Sequence, residues 1–203
     1  MVHVYEIAGL PVQTGDILCT TVGDEKLWPG LAWRAFGALV PGPIDHMALY
    51  VGPGGRCVES GPAGVVVYDA LDRNWSAPPM ARERAWLTDT LYGVAYPLAG
   101  RGLSAEEETA VRCAVAGYCL AQAAAGRRYN FNFLNSRTET SFYCTHLIYR
   151  AYLHSGIDLN SSRHFLGLKG PDGLILPQEI WQACEHRRVE PDAGDDGEYV
   201  PDR

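Results

Sequence analysis

Short runs of aliphatic, β-branched and aromatic residues, bounded by turns rich in Gly and Pro, dominate the first hundred positions of the chain. Runs of this length and composition predict β-strands. The run at 44–51 is mostly apolar, as expected of a strand near the centre of a sheet. The predicted strands are 15–21, 44–51, 56–60, 64–70 and 91–98.

Apolar residues recur at helical spacing in other segments. Residues 26–40 predict a helix whose added aromatic side chains suit either the core or the wall of a pocket. Ser104 and Glu107 form a capping box that begins a helix ending near Gly126. A short helix with proline in its first turn is predicted through Cys184. The predicted inner face of the 104–126 helix consists of Val111, Ala114, Val115, Tyr118 and either Ala121 or Gln122.

Residues 141–156 predict a helix that carries Cys144 in its first turn. Ser141 or Thr140 can cap this helix, and apolar positions continue at helical spacing from Cys144 until Gly156. The partial positive charge at a helix N-terminus favours a thiolate. A cysteine at such a position is more often a buried packing residue, so a second group is needed before it indicates catalysis.

The predicted hairpin of strands 44–51 and 56–60 supplies that second group. A symmetric loop pairs Tyr50 with Cys57 and Ala48 with Glu59, which makes His46 and Glu59 diagonal neighbours on one face. Asp45 points to the opposite face. The register therefore favours Glu59 as the partner of His46.

A cysteine, a histidine and an acid in this arrangement form the parts of a thiol nucleophile. His46 is the candidate base, Glu59 would hold its second ring nitrogen, and Cys144 would attack a carbonyl carbon. The backbone N–H of Cys144 is a candidate oxyanion donor. His146 lies about 200° around the helix from Cys144 and is not expected to act as the base. The remaining histidines, interpreted as surface or loop residues, are His3, His154, His164 and His186.

Five motifs resemble the permuted papain-like amidases of the NlpC superfamily, the YiiX/YebB-like group. In this group the cysteine helix follows the strands that carry the histidine and the acid, and this chain has that order. The resemblance covers most of residues 14–185. The motifs are GDILCT (15–20), DHMALYVG (45–52), VESGPAGVVVYDAL (58–71), YNFNF (129–133) and FYCTHLIYRAY (142–152).

The resemblance implies that Cys144 is the nucleophile, His46 the general base and acid, and Glu59 the third member. It implies that Tyr129 lines the substrate pocket, although a core tyrosine is an equal interpretation. Thr145 replaces the serine that is more usual after the cysteine. No cofactor and no metal are implied.

We therefore predict an α+β protein with a circularly permuted papain-like (NlpC-type) fold. An antiparallel sheet or half-barrel would pack on the cysteine-bearing helix, which we expect to lie across the face that carries His46 and Glu59. One domain is predicted over 1–189, followed by an acidic, flexible tail at 190–203.

Composition narrows the partners. A net charge of −7 and the lack of a basic stripe argue against nucleic acid. The six cysteines form no C-x-x-C pair and are typical of reduced thiols in the cytosol. Neither a secretory leader nor a run long enough to span a bilayer is recognised, so we expect a cytoplasmic protein without stable membrane insertion.

The expected activity is cysteine-dependent hydrolysis of an amide or ester through a thioester, by an amidase or peptidase acting on a small-molecule or peptide-like substrate. Three alternatives remain at this stage. They are an acyltransferase of the lecithin:retinol acyltransferase type, a non-catalytic binding module on the same scaffold, and a zinc site built from the same cysteine, histidine and glutamate.

Overall fold

The structure is a computed structural model that describes residues 1–21, 42–160 and 174–190. The predicted aromatic helix at 26–40 and the acidic tail beyond Glu190 lie outside these ranges. The strands are β1 (Val4–Ile7), β2 (Leu10–Gln13), β3 (Ile17–Thr21), β4 (His46–Tyr50), β5 (Arg56–Gly61), β6 (Gly64–Asp69), β7 (Thr90–Tyr96), β8 (Arg128–Tyr129), β9 (Ser141–Phe142) and β10 (Glu185–Arg188). The helices are α1 (Ala77–Met80), α2 (Ala105–Ala124), α3 (Cys144–His154) and α4 (Pro177–Ala183).

The main sheet has six strands in the order β10–β7–β3–β4–β5–β6, and every neighbouring pair is antiparallel. All five residues of β4 are buried, which confirms its predicted central place. The five predicted strands correspond to β3 through β7. The α+β class with a large antiparallel sheet is therefore confirmed.

Strand β10 was not predicted because its sequence carries no strand signal. Its four residues, Glu185–Arg188, are charged or imidazole-bearing and all are exposed. It adds to the edge of the sheet by pairing with β7. Two further pairs stand apart from this sheet, an antiparallel β1–β2 hairpin and a parallel pair of β8 with β9.

The sheet separates two clusters of buried side chains. Met47, Leu49 and Val58 pack with the helices, and α3 contributes Leu147 and Ile148 to the same cluster. The strand residues between them point to the opposite face and pack with β1, β2 and β6. These opposite-facing residues include Ala48, Tyr50 and Cys57.

The body of α3 therefore packs on the face opposite to the one predicted. The prediction placed α3 across the face that His46 and Glu59 share with Ala48 and Tyr50. Instead, its side chains contact the Met47 and Leu49 face. The reason is its composition, because Leu147, Ile148, Ala151 and Tyr152 form an apolar stripe that only this larger cluster accommodates.

Helix α2 also differs in its inner face. It begins with the predicted capping box, in which Ser104 accepts from the Glu107 N–H and Glu107 accepts from the Ser104 N–H. Its buried residues are Arg112, Val115, Ala116 and Cys119, while Ala114 is exposed. The shift follows from Arg112, which turns inward to donate to Asp16 at 2.8 Å. A pattern of apolar residues cannot predict this face, because Arg112 is charged.

Candidate active site

The β4–β5 hairpin brings His46 and Glu59 together. Its register pairs Tyr50 with Cys57 and Ala48 with Glu59, as the loop symmetry predicted. His46 Nε2 lies 2.9 Å from Glu59 Oε2, and both residues are buried. The predicted choice of Glu59 over Asp45 is confirmed as a contact. Because an ionised carboxylate only accepts, Nε2 carries the proton and Nδ1 is left for another partner.

Cys144 is the first residue of α3, one position after the N-cap Tyr143. The prediction of a cap at Ser141 or Thr140 was wrong, because Ser141–Phe142 is extended and pairs with Arg128–Tyr129. The thiol therefore lies at the very end of the helix rather than one turn inside it. A first-turn N–H has no partner within its own helix, which keeps the Cys144 N–H a candidate oxyanion donor.

Side chains on both sides of Cys144 fix this helix end. Ser60, next to Glu59 on β5, donates to the Phe142 carbonyl at 2.6 Å. Thr145 donates to the Ile175 carbonyl at 2.6 Å, and the Ile175 N–H donates to the Tyr143 hydroxyl at 3.2 Å. The first of these bonds ties the hairpin directly to the start of α3.

Cys144 is close enough to the His46 imidazole to contribute to the pKa of that ring. Burial alone would lower the pKa of His46, but the Glu59 carboxylate and then Cys144 outweigh it and hold that pKa well above 6.5. The imidazole therefore has a carboxylate bonded to Nε2 and a thiol as a further neighbour. His46 is the first residue of β4 and Cys144 is the first residue of α3. The two residues are therefore neighbours at the ends of their elements, although the body of α3 packs on the other face of the sheet.

Arg84 completes the site, although no sequence signal linked it to Glu59. Residues 71–89 contain prolines and arginines but no motif that indicates a function. The Arg84 guanidinium is fully buried and donates to both Glu59 oxygens, from Nε to Oε1 at 2.9 Å and from Nη2 to Oε2 at 2.8 Å. It also donates twice to Asp89, at 2.7 Å each.

The charge of Glu59 is held by these contacts. Burial raises the pKa of a carboxyl group, but Arg84 and then His46 reverse the effect and lower the pKa of Glu59 to about 2. Glu59 is thus a carboxylate over the whole neutral and mildly acidic range. It is available to hold the imidazolium form of His46.

Tyr129 lies near Cys144, because it pairs with Phe142 across β8 and β9. Burial raises the pKa of Tyr129, and Cys144 and Tyr143 add to the rise. Its ring contacts those of Phe131 and Phe133, with centroids 4.9 and 6.3 Å apart. An aromatic wall therefore flanks the thiol, and a substrate-binding role for Tyr129 stays a prediction.

Two of the histidines that the sequence indicated as surface or loop residues have defined partners. His154 Nε2 lies 2.7 Å from Glu139, and the ring of His186 stacks on Trp181 at 4.0 Å. His146 is buried between the rings of Phe142 and Tyr143, and burial lowers its pKa to about 4. Its place in this aromatic stack agrees with its exclusion as the base. His164 lies outside the described residues.

No protein-family model, curated protein or solved structure matches the chain. Within residues 1–21, 42–160 and 174–190, no group of three or more His, Cys, Asp and Glu side chains is arranged to hold a metal ion. In those same ranges no helix is long and apolar enough to cross a membrane. The site is therefore interpreted from its own geometry.

Proposed function

We propose that this protein is a cysteine-dependent hydrolase of the amidase or peptidase class. Cys144 is the nucleophile, His46 the general base and acid, and Glu59 the residue that orients the imidazole. The observation that carries the proposal is that His46, 2.9 Å from the Glu59 carboxylate, also has Cys144 at the start of α3 as a neighbour. This is the chain of contacts that an activated thiol requires.

The proposed reaction begins from the ion pair in which the thiol proton already resides on His46 Nδ1, and the Cys144 thiolate attacks the carbonyl carbon of an amide or ester. The oxyanion that forms accepts a hydrogen bond from the Cys144 N–H. The intermediate collapses to a thioester as His46 returns the proton to the leaving amine or alcohol. Water then attacks the thioester, His46 takes its proton, and the thiol is restored as the acid product leaves.

As part of this proposal we assign the protein to the permuted papain-like NlpC superfamily, and the order histidine, glutamate, cysteine along the chain supports that assignment. The histidine and the glutamate lie on one antiparallel hairpin, and the cysteine begins a helix more than eighty residues later. The substrate class proposed is a small-molecule or peptide-like amide. The aromatic wall around Tyr129 offers an apolar contact to the acyl group.

The test is competitive alkylation of the intact protein with limiting iodoacetamide near pH 6, followed by mapping of the labelled cysteines by mass spectrometry. We expect Cys144 to react first. Cys113 is an internal control, because it is partly exposed while Cys144 is buried. Access alone would favour Cys113, so preferential labelling of Cys144 reports activation.

The matched variants are His46→Ala and His154→Ala, since each removes one histidine of a His–Glu pair. We expect His46→Ala to lower Cys144 labelling by about 10²-fold or more, the range of a lost general base. His154→Ala is expected to leave it unchanged. Equal labelling of Cys144 and Cys113 in the native protein, or equal effects of the two variants, would overturn the proposal.

A further inference from the structure

The Arg84 guanidinium is shared between two carboxylates by its two edges. Its Nε and Nη2 hold Glu59, and its Nη1 and Nη2 hold Asp89. The rings of Tyr68 and Trp75 lie next to it, with the guanidinium carbon 4.6 and 5.2 Å from their centroids. The Trp75 indole also donates to Asp89 at 3.1 Å. Arg84 therefore has one position, fixed from every side.

Glu59 has correspondingly little freedom. Its Oε2 accepts from both His46 Nε2 and Arg84 Nη2, at 2.9 and 2.8 Å, while Oε1 accepts from Arg84 Nε. A rotation of the carboxylate that favoured one donor would break the bond to another. The planar fork of an arginine fits this bidentate arrangement, whereas a lysine ammonium acts as a point charge.

The backbone next to Arg84 also indicates that surrounding contacts fix this turn. The next two residues, Ala85 and Trp86, both have left-handed φ values of 51° and 64°. This region is unfavourable for residues with a Cβ and persists only where surrounding contacts hold it. Trp86 is 62% exposed, so packing of its own side chain does not hold the turn. The turn is held by backbone bonds, including Trp86 N–H to the Ala81 carbonyl at 2.6 Å, together with the buried side-chain contacts of Arg84.

We propose that Arg84, anchored by Asp89, is a positioning residue that fixes the Glu59 carboxylate beside His46. The inference rests on the proposed function, because Arg84 acts through Glu59 and touches neither the thiol nor the imidazole in the described contacts. It extends the site from three residues to five, and it assigns the turn at 81–89 a part in the reaction.

The charged and titratable groups around Glu59 determine what removing Arg84 does. His46 faces it from β4, Tyr68 from β6, Cys57 from its own strand, and Arg84 with Asp89 from the turn. Arg84 is the cation whose charge does not depend on pH in the working range. Without it, burial and the Asp89 charge both favour a protonated Glu59, and His46 loses the anion that supports its imidazolium form.

The experiment measures the pH dependence of Cys144 alkylation in Arg84→Met. We expect the acid limb, where the rate falls with decreasing pH, to move to higher pH by about one to three units, the range for loss of an adjacent opposite charge. Arg112→Met is the matched control, because Arg112 is also a buried arginine, paired with Asp16 at 2.8 Å away from the site. It lowers stability without moving the limb. An unmoved limb in Arg84→Met overturns the inference.

The Glu59→Gln background separates positioning from a merely structural role. If Arg84 acts through Glu59, Arg84→Met adds no further shift once the carboxylate is gone. A further shift in the double variant overturns the inference. If Arg84→Met does not fold, Arg84→Lys is measured instead, because it keeps the positive charge and loses the bidentate contact with Glu59. We expect Arg84→Lys to lower the maximal rate of Cys144 alkylation in the native background. In the Glu59→Gln background it should leave that rate unchanged. An unchanged maximal rate in the native background counts against Arg84.

A second readout keeps this result distinct from the proposed function. The Glu59 carboxyl carbon, followed by NMR with labelled glutamate, reports its pKa directly, which is about 2 in the native protein. We expect a rise of about one to three units in Arg84→Met. A rise without selective Cys144 labelling would overturn the proposed function alone. Selective labelling with no rise would overturn the role of Arg84 alone.

Discussion

At the scale of single residues, the site pairs oppositely charged side chains that are almost completely buried. Glu59 is 1% and Arg84 0% exposed, and His46 is 7% exposed. A buried carboxylate is unfavourable unless it is paired and its oxygens are bonded, and Glu59 satisfies both conditions through two partners. The same contacts that make Glu59 a useful partner for an imidazolium therefore also stabilise the fold.

This coupling gives the stability a defined pH dependence. The folded pKa of Glu59 is about 2, below its ordinary 4.5, so its contribution is complete above pH 4.5 and is lost as the pH falls toward 2. The folded pKa of His46 is well above its ordinary 6.5, so its contribution is complete below pH 6.5 and is lost as the pH rises through the folded value. The pair stabilises most between pH 4.5 and 6.5.

Glu59→Gln removes both contributions, and we expect it to lower the free energy of unfolding by about 3–5 kcal/mol, the range for a broken buried ion pair. The difference from the native protein should be largest between pH 4.5 and 6.5, measured by urea unfolding from pH 3 to 9. His154→Gln, which removes only the exposed partner of Glu139, should give a small and nearly flat difference. A pH-independent effect of Glu59→Gln would contradict the charge assignment.

At the scale of elements, the hairpin was predictable from the sequence and the helix end was not. A symmetric loop fixes the register of β4 and β5, so the contact of His46 with Glu59 follows from counting residues. The start of α3 depends on the pairing of β9 with β8, and Ser141 and Thr140 resemble caps only when that pairing is ignored. The tertiary pairing of β9 with β8 therefore determines where α3 begins, and the capping propensity of Ser141 and Thr140 does not.

Arg84 is the residue of the site that the sequence could not predict. Glu59 lies 25 positions before it, and the turn that joins them has no regular spacing from which a contact could be inferred. A lone arginine in a loop is typical of solvent-exposed surface, and only the folded chain shows it buried. The face on which α3 packs was missed for a related reason, since helical periodicity identifies the apolar stripe and not the surface that it meets.

Thr145 tests how the end of α3 is held. Thr145→Val keeps the shape and removes the hydroxyl that donates to the Ile175 carbonyl. We expect the free energy of unfolding to fall by about 1–3 kcal/mol, the cost of leaving a buried carbonyl unpaired, and Cys144 alkylation to slow because the helix end is no longer fixed. Thr145→Ser keeps the hydroxyl and is expected to retain most of both. Equal behaviour of the two variants in urea unfolding and alkylation would show that the bond does not position Cys144.

At the scale of the whole molecule, the site joins both faces of the sheet. His46 and Glu59 belong to a hairpin, Arg84 to a turn, and Cys144 to a helix packed on the opposite face. The hairpin and the helix are separated by more than eighty residues of chain. Such contacts form only when the complete fold is present, because the entropy of closing long loops must be overcome by both clusters together.

The cysteines allow this cooperativity to be measured. Cys119 lies in the cluster between the sheet and the helices, Cys57 lies on the other face, and both are fully buried. We expect pulse alkylation across a urea series to show Cys57 and Cys119 becoming reactive in a single transition, which is the behaviour of one domain. The preference for Cys144 over Cys113 should vanish in that same transition. Loss of the preference at lower urea, with Cys57 and Cys119 still protected, would instead show that the site opens separately, as a local unit of low stability.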